Sequence, residues 1–182
     1  MKKTLVLIAT LILISSAFAF DKGTINPGGT ASVSVSKADS DDETTTRIIL
    51  RPQIAYFLAD NICVDGIFIY ESESYDDDDT SAFGVGLGGR YFYNNFYAGL
   101  SLQHQSMNMS RDLGILGEVD KTISGIFLEP RLGYLVPLSE NVFVDFGAAY
   151  QLGIGDWGSD GNGANESSDL KFSIGLQYFF KR

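Results

Sequence analysis

The stretch that most constrains this chain is its last, Lys171-Phe172-Ser173-Ile174-Gly175-Leu176-Gln177-Tyr178-Phe179-Phe180, followed by Lys181 and Arg182. It alternates without a break. Phe172, Ile174, Leu176, Tyr178 and Phe180 fall on one face, and Lys171, Ser173, Gly175, Gln177 and Phe179 on the other. A period of two is the mark of a β-strand with two unlike faces. Such a strand at a chain end is an aggregation-prone edge unless it is paired on both sides. The pattern predicts a sheet that closes on itself.

Seven further segments from Thr30 onward alternate in the same way. Thr30–Lys37 sets Ala31, Val33 and Val35 against Thr30, Ser32, Ser34 and Ser36. Thr46–Leu58 sets Ile48, Leu50, Ile54 and Tyr56 against Arg47, Arg51 and Gln53. Asn61–Glu73 sets Ile62, Val64, Phe68 and Tyr70 against Asp65, Glu71 and Glu73. In Thr80–Tyr93 an apolar face opposes Gly84, Gly86, Gly88 and Arg90. Phe96–Asn108, Thr122–Val136 and Val142–Ile154 follow, with Gln103, Gln105, Glu129, Arg131 and Asp145 on their polar faces.

The connections alternate in length. Ala59-Asp60, Asn94-Asn95 and Ser139-Glu140 read as tight turns. Ala38–Thr45, Tyr75–Thr80, Ser110–Lys121 and Gly155–Asp169 read as longer polar loops, three of them acidic. Short connections at one end and long ones at the other match an outer-membrane barrel, with turns in the periplasm and loops outside.

The chain start fits export. Lys2 and Lys3, the apolar run Leu5–Ile14 and the small residues before Ala19 predict a signal peptide over 1–19, leaving one barrel domain over 20–182. Ten apolar residues are too few for a spanning helix, which needs about 20. Of the 13 basic residues, Lys2 and Lys3 leave with the leader, so 11 stand against 23 acidic ones. That balance disfavours nucleic acid as a partner. Cys63 is the single cysteine, so no intramolecular disulfide can form.

Volume decides which face points outward. The apolar face carries about thirty large side chains, whereas the core of an eight-stranded barrel holds about twelve. The apolar face must therefore look out, towards lipid. The reverse register would put Arg47, Arg51, Arg90 and Arg131 in hydrocarbon, at about 2–4 kcal/mol each near the midplane. Tyr56, Tyr91, Tyr93, Tyr134, Tyr178 and Phe180 all stand at strand ends beside short turns or the C-terminus, as an interfacial girdle would. The expected fold is all-β: an eight-stranded antiparallel up-and-down transmembrane barrel.

At this point the chain resembles the small bacterial outer-membrane β-barrel domains, the opacity-type proteins and the OmpA-like transmembrane barrel. The likeness spans the mature chain. Its sharpest element is the terminal strand, where Ser173, Gly175, Tyr178 and Phe180 match the family's polar-x-Gly-x-x-aromatic-x-aromatic assembly signal. The resemblance implies the barrel-assembly machinery as a partner and the bacterial outer membrane as location. Lys181 and Arg182 depart from the family, which ends on the aromatic residue.

Three groups of residues are candidates for chemistry. Arg51, Asp65, Glu71, Arg90, Glu129, Arg131 and Asp145 are expected inside as a paired charge network, since buried charges persist only when paired. The inward glycines Gly84, Gly86 and Gly88 are expected to make room for long Arg side chains. Such a network fills the lumen; a rearranging one would gate a narrow channel. Second, His104, Ser106 and Glu118 offer a base, a nucleophile and an orienting acid. His104-x-Ser106 resembles the His-x-Ser pair of outer-membrane lipid A deacylases, though Met107 and Asn108 depart from their pattern. Third, the acidic loops (Asp39, Asp41, Asp42 and Glu43; Asp76 to Asp79; Asp156, Asp160, Glu166 and Asp169) suit surface interaction or diffuse divalent bridging to lipopolysaccharide. No ordered metal site and no cofactor is expected. The sequence reads as a non-enzymatic, monomeric barrel whose loops meet an extracellular ligand.

Overall fold

The computed structural model describes residues 20–37, 44–75, 78–112, 118–154 and 168–180. Within these it describes the side chains except those of 33–37, 44–46, 74–75, 78–79, 108–112 and 118–123. Eight strands run in chain order: β1 (Ile25–Lys37), β2 (Thr44–Ala59), β3 (Ile62–Tyr75), β4 (Asp78–Tyr93), β5 (Phe96–Asp112), β6 (Glu118–Pro137), β7 (Val142–Gly153) and β8 (Ser168–Tyr178). Each pairs antiparallel with the next, and β1 pairs with β8, so the sheet is a closed up-and-down barrel.

Alternation sets the two surfaces. Thirty large apolar side chains stand exposed among the described residues, among them Leu87, Leu132, Phe172 and Phe83. Between Tyr91 and Phe83 on β4 the exposed side chains are Tyr91, Leu87, Val85 and Phe83. At about 3.4 Å per residue and a tilt near 40°, that run is about 20 Å tall, close to the apolar band of a membrane barrel. Tyr56, Tyr91, Tyr93, Phe96, Tyr178 and Phe180 border it at the turn end. Tyr178 and Phe180 are in ring contact at 4.3 Å, and Phe96 and Tyr134 at 4.6 Å.

The strands are longer than the sequence pattern predicts. β1 begins at Ile25 rather than Thr30, because Pro27, Gly28 and Gly29 pair with Ile54, Gln53 and Pro52 instead of turning. The loop expected over Tyr75–Thr80 shrinks to residues 76–77, and that over Ser110–Lys121 to 113–117. Ser, Thr and Asp pair well enough in a ladder, but they carry no apolar alternation to reveal it. At the opposite end, residues 60–61, 94–95 and 138–141 join the strands. Asn61 and Asn94 take φ of 62° and 54°, the left-handed region that Asn tolerates better than most residues.

The β1–β8 seam is the shortest ladder, pairing Gly28–Ala31 with Gln177–Ile174, with one further bridge between Ile25 and Phe180. Close approach explains its glycines. A Cβ on Gly175 would run into the Gly29 carbonyl oxygen, and its next contact, Thr30 Cγ2, would lie at 2.7 Å. The predicted assembly residues Ser173, Gly175 and Tyr178 lie on β8, and Phe180 two residues beyond its end.

Candidate functional site

The barrel interior is built in layers from the turn end outward. Inward apolar residues at that end come from seven of the eight strands: Phe57 from β2, Cys63 from β3, Phe92 from β4, Tyr97 from β5, Leu135 from β6, Phe143 from β7 and, just past β8, Phe179. Phe20, which precedes β1, lies among them, with ring centroids 4.3 Å from Phe179, 4.8 Å from Phe92, 5.6 Å from Phe57 and 6.0 Å from Phe143. The alternation places Phe179 on the inner face with Lys171, Ser173 and Gln177, but the mostly small and polar residues of the other inner faces do not announce this phenyl layer. Phe57, Phe92, Phe143 and Phe179 lie on or directly after four different strands, and only closure of the sheet brings them together.

The second layer is ionic. Arg90 donates from Nε and Nη2 to Asp65 Oδ1 at 3.0 and 2.7 Å, and from Nη2 to Asn26 Oδ1 at 3.0 Å. Its guanidinium also lies over the rings of Phe92 and Tyr97, at 5.2 and 5.3 Å. That contact ties the ionic layer to the phenyl layer. Arg131 donates to the other Asp65 oxygen and, at 3.1 Å, to Gln53 Oε1. Asp145 accepts from Tyr97 Oη at 3.0 Å and from Gln177 Nε2 at 2.8 Å. Asp65 and Asp145 are buried together with their partners Arg90, Tyr97 and Gln177. Charges this far from water are stable only with such pairing.

Further out, Arg51 donates to Glu129 at 2.7 Å. Arg47 Nη2 meets Glu71 Oε1 at 2.5 Å, and Nη1 reaches Asp169 at 3.3 Å. Lys171 donates to Gln151 at 2.7 Å and lies 3.9 Å from Glu71. The seven residues singled out for the interior (Arg51, Asp65, Glu71, Arg90, Glu129, Arg131 and Asp145) thus all project inward, but into three groups rather than one. Arg47 and Lys171 complete the outermost group; both alternate with apolar residues, which is the signal that locates them. A cavity of about 20 Å³ remains among Arg51, Arg131, Asp145, Thr30, Ser173 and Gln53, room for about one water molecule.

The inward glycines serve a different neighbour from the one expected. A Cβ on Gly84 or Gly86 would meet Cγ of Gln105 at 2.7 Å or of Gln103 at 2.8 Å. The space beside them belongs to a ladder in which Gln105 donates to Gln103 and Gln103 to Ser101, at 3.0 and 2.9 Å. Room for arginine comes from Gly99 instead, where a Cβ would meet Arg90 Cγ at 2.8 Å and Arg131 Nε at 3.1 Å.

The candidate hydrolytic residues do not assemble. His104 is exposed on the outer face, between Val85 and Ile126 of the adjacent strands, and Ser106 lies opposite Phe83 and Ser124. Glu118 pairs with Asp112, six residues further along β5 from Ser106. At about 3.3 Å per residue that separation is about 20 Å, far beyond what an orienting acid can bridge. Of the acidic loops, 38–43, 76–77 and 155–167, with Asp39, Asp41, Asp42, Glu43, Asp156, Asp160 and Glu166, lie outside the described residues. Among the described residues no cluster of three His, Cys, Asp or Glu has the arrangement of a metal site.

No protein-family model and no curated protein matches the chain. Solved structures do. The chain is similar to neisserial surface protein A (TM-score 0.56, 18% identity, 90% of this chain and 99% of that one). It is equally similar to Ail, the attachment invasion locus protein of Yersinia pestis (0.56, 15%, 87% and 99%). The N-terminal β-barrel domain of Pseudomonas aeruginosa OprF also matches (0.53, 12%, 87% and 98%). Identities this low speak for backbone architecture alone. The closed eight-stranded barrel is therefore the architecture shared with these proteins, and the chain has the fold of the small outer-membrane β-barrels.

Proposed function

We propose that the protein is an integral outer-membrane barrel with a side-chain-filled lumen, acting as a structural element of the membrane and as a stand for its acidic surface loops. One observation carries the reading: Asp65, wholly buried, holds both Arg90 and Arg131 directly above a layer of packed phenyl rings. A hydrated pore keeps its charges facing water; here they face each other. The loops would meet lipopolysaccharide, with divalent cations bridging carboxylate to phosphate, and an extracellular ligand. Ser173, Gly175, Tyr178 and Phe180 would be read by the barrel-assembly machinery during insertion. The name of one similar protein, the attachment invasion locus protein, fits a surface role.

Conductance across planar bilayers tests the reading. The purified protein is expected to give no large, stable openings, and such openings would overturn it. A narrow gated channel is the second reading, favoured because one carboxylate, Asp65, serves two guanidiniums and could release either. It predicts brief, small openings that Asp65→Asn makes more frequent. The lipid A-modifying alternative predicts altered acylation on expression, lost in His104→Ala. Mass spectrometry of lipid A is expected to show no change with either form.

A further inference from the structure

Phe20 differs from the other rings in the turn-end layer because it precedes the first strand, whereas Phe57, Phe92 and Phe143 lie on strands and Phe179 directly follows one. It belongs to the segment Phe20–Thr24, which runs along the end of β2 and the β2–β3 turn before β1 begins at Ile25. The segment is held at several points. Phe20 N donates to Asn61 Oδ1 at 3.0 Å, and Asn61 N donates back to Phe20 O at 2.8 Å. Lys22 N donates to Asp60 Oδ1 at 2.9 Å, and Gly23 N to Phe57 O at 2.9 Å. The chain turns at Gly23 with φ of 86°, a conformation that only glycine adopts freely. Asp21 and Lys22 are exposed, while the Phe20 ring is 2% exposed and Thr24, where the chain joins β1, is buried as well.

We propose that Phe20–Lys22, hinged at Gly23, is a stopper for the turn end of the lumen, separable from the barrel wall, with the Phe20 ring as its sealing element. The proposal rests on the filled-lumen reading above. Gly23 and Thr24 continue the β1–β2 ladder, with Gly23 N donating to Phe57 O and Phe57 N to Thr24 O. Phe20 and Lys22 bond only to Asn61 and Asp60 of the turn, so Phe20–Lys22 can leave its seat without opening a strand pair. Its ring touches four others, from β2, β4, β7 and the end of β8, so it stands among rings from different sides of the barrel and its departure opens the centre of the layer. Beside the rings lies Cys63, 1% exposed, in the same apolar cluster as Phe20 and opposite Phe57 on one side and Arg90 on the other in the strand register. A cut after Ala19 would make Phe20 the first residue of the mature protein, so the leader's removal would release the stopper's end.

Cys63, the single cysteine, is a built-in reporter of solvent entry past the stopper. The probe is N-ethylmaleimide at fixed pH, applied to the full mature chain folded in detergent micelles, with heat-modifiable migration as the check of folding. Wild type is expected to label far more slowly than the urea-unfolded chain. Phe20→Asp, which cannot keep its side chain among the rings, is expected to label at least about tenfold faster than wild type, and Phe20→Leu close to wild type. Gly23→Val leaves every ring intact and opposes the backbone turn; it too is expected to speed labelling, and it decides the matter if Phe20→Asp does not fold. Slow labelling in wild type with no acceleration in a folded Phe20→Asp or in Gly23→Val overturns the stopper and leaves the filled lumen standing. Wild-type labelling as fast as the unfolded chain overturns both.

Discussion

Arg90 and Asp65 form a 2.7 Å ion pair in which neither side chain has any solvent exposure. Their geometry makes the two partners unequal. Asp65 also holds Arg131, whereas Arg90 has Asn26 and two aromatic rings as additional support. Asp65→Asn therefore leaves two buried guanidiniums without their carboxylate, and a loss of roughly 3–5 kcal/mol is expected. Arg90→Met keeps most of the volume and leaves Asp65 paired to Arg131, so it should cost clearly less. Urea unfolding of the folded protein in lipid vesicles, followed by tryptophan fluorescence, measures both. Equal losses would show that Asp65 does not act as the shared counter-charge.

The seam offers a second test because its tolerance differs sharply between two glycines. At Gly175 an added Cβ would collide with the backbone oxygen of Gly29, which cannot swing aside as a side chain can. At Gly66 the nearest atom to an added Cβ is Ile54 Cγ2, at an ordinary 3.7 Å. Gly175→Ala should lower stability by about 1–3 kcal/mol and reduce the heat-modifiable folded fraction. Gly66→Ala should change stability by less than about 0.5 kcal/mol. Comparable behaviour of the two would mean that the seam is not tightly closed.

These two positions also show how far the sequence can be read. Period-two alternation in Lys171–Phe180 exposes the barrel, because one residue's slip would reverse both faces of every strand. The same alternation sends Arg90 and Asp65 inward, but it carries no information on which charge meets which. That depends on stagger between strands, and Asp65 reaches Arg131 from three strands away. Gly84 and Gly86 illustrate the limit: the sequence shows missing side chains, and only the register reveals Gln103 and Gln105 in their place. The phenyl layer was hidden for another reason. Phe57, Phe92, Phe143 and Phe179 lie far apart in the chain, one per strand end, and Phe20 stands outside any alternating segment.

Topology gives a third prediction. Residues 60–61, 94–95 and 138–141 lie at the phenyl-sealed end, and the connections 38–43, 113–117 and 155–167 leave from the other. In the proposed orientation an epitope tag inserted after Gly163 is bound by antibody on intact cells, and one inserted after Asn94 only after permeabilisation. The opposite pattern would invert the barrel and turn the acidic connections towards the periplasm.

The apolar belt itself is tested by depth. Leu87 is 76% exposed and lies four residues from both Tyr91 and Phe83, so it stands at mid-height of the belt. Tyr93 is 68% exposed but stands at the last residue of β4, in the girdle. In water the two sites would accept a charge equally well, because both already face solvent. In a bilayer they differ. Arg at the midplane costs about 2–4 kcal/mol, and Arg near the interface about 0–1, because there the side chain can reach the headgroups. Leu87→Arg should therefore destabilise the vesicle-embedded protein by several times as much as Tyr93→Arg in urea titrations. Equal small effects would place the exposed apolar face against something other than lipid, since only a bilayer grades the cost of charge by height along the strand.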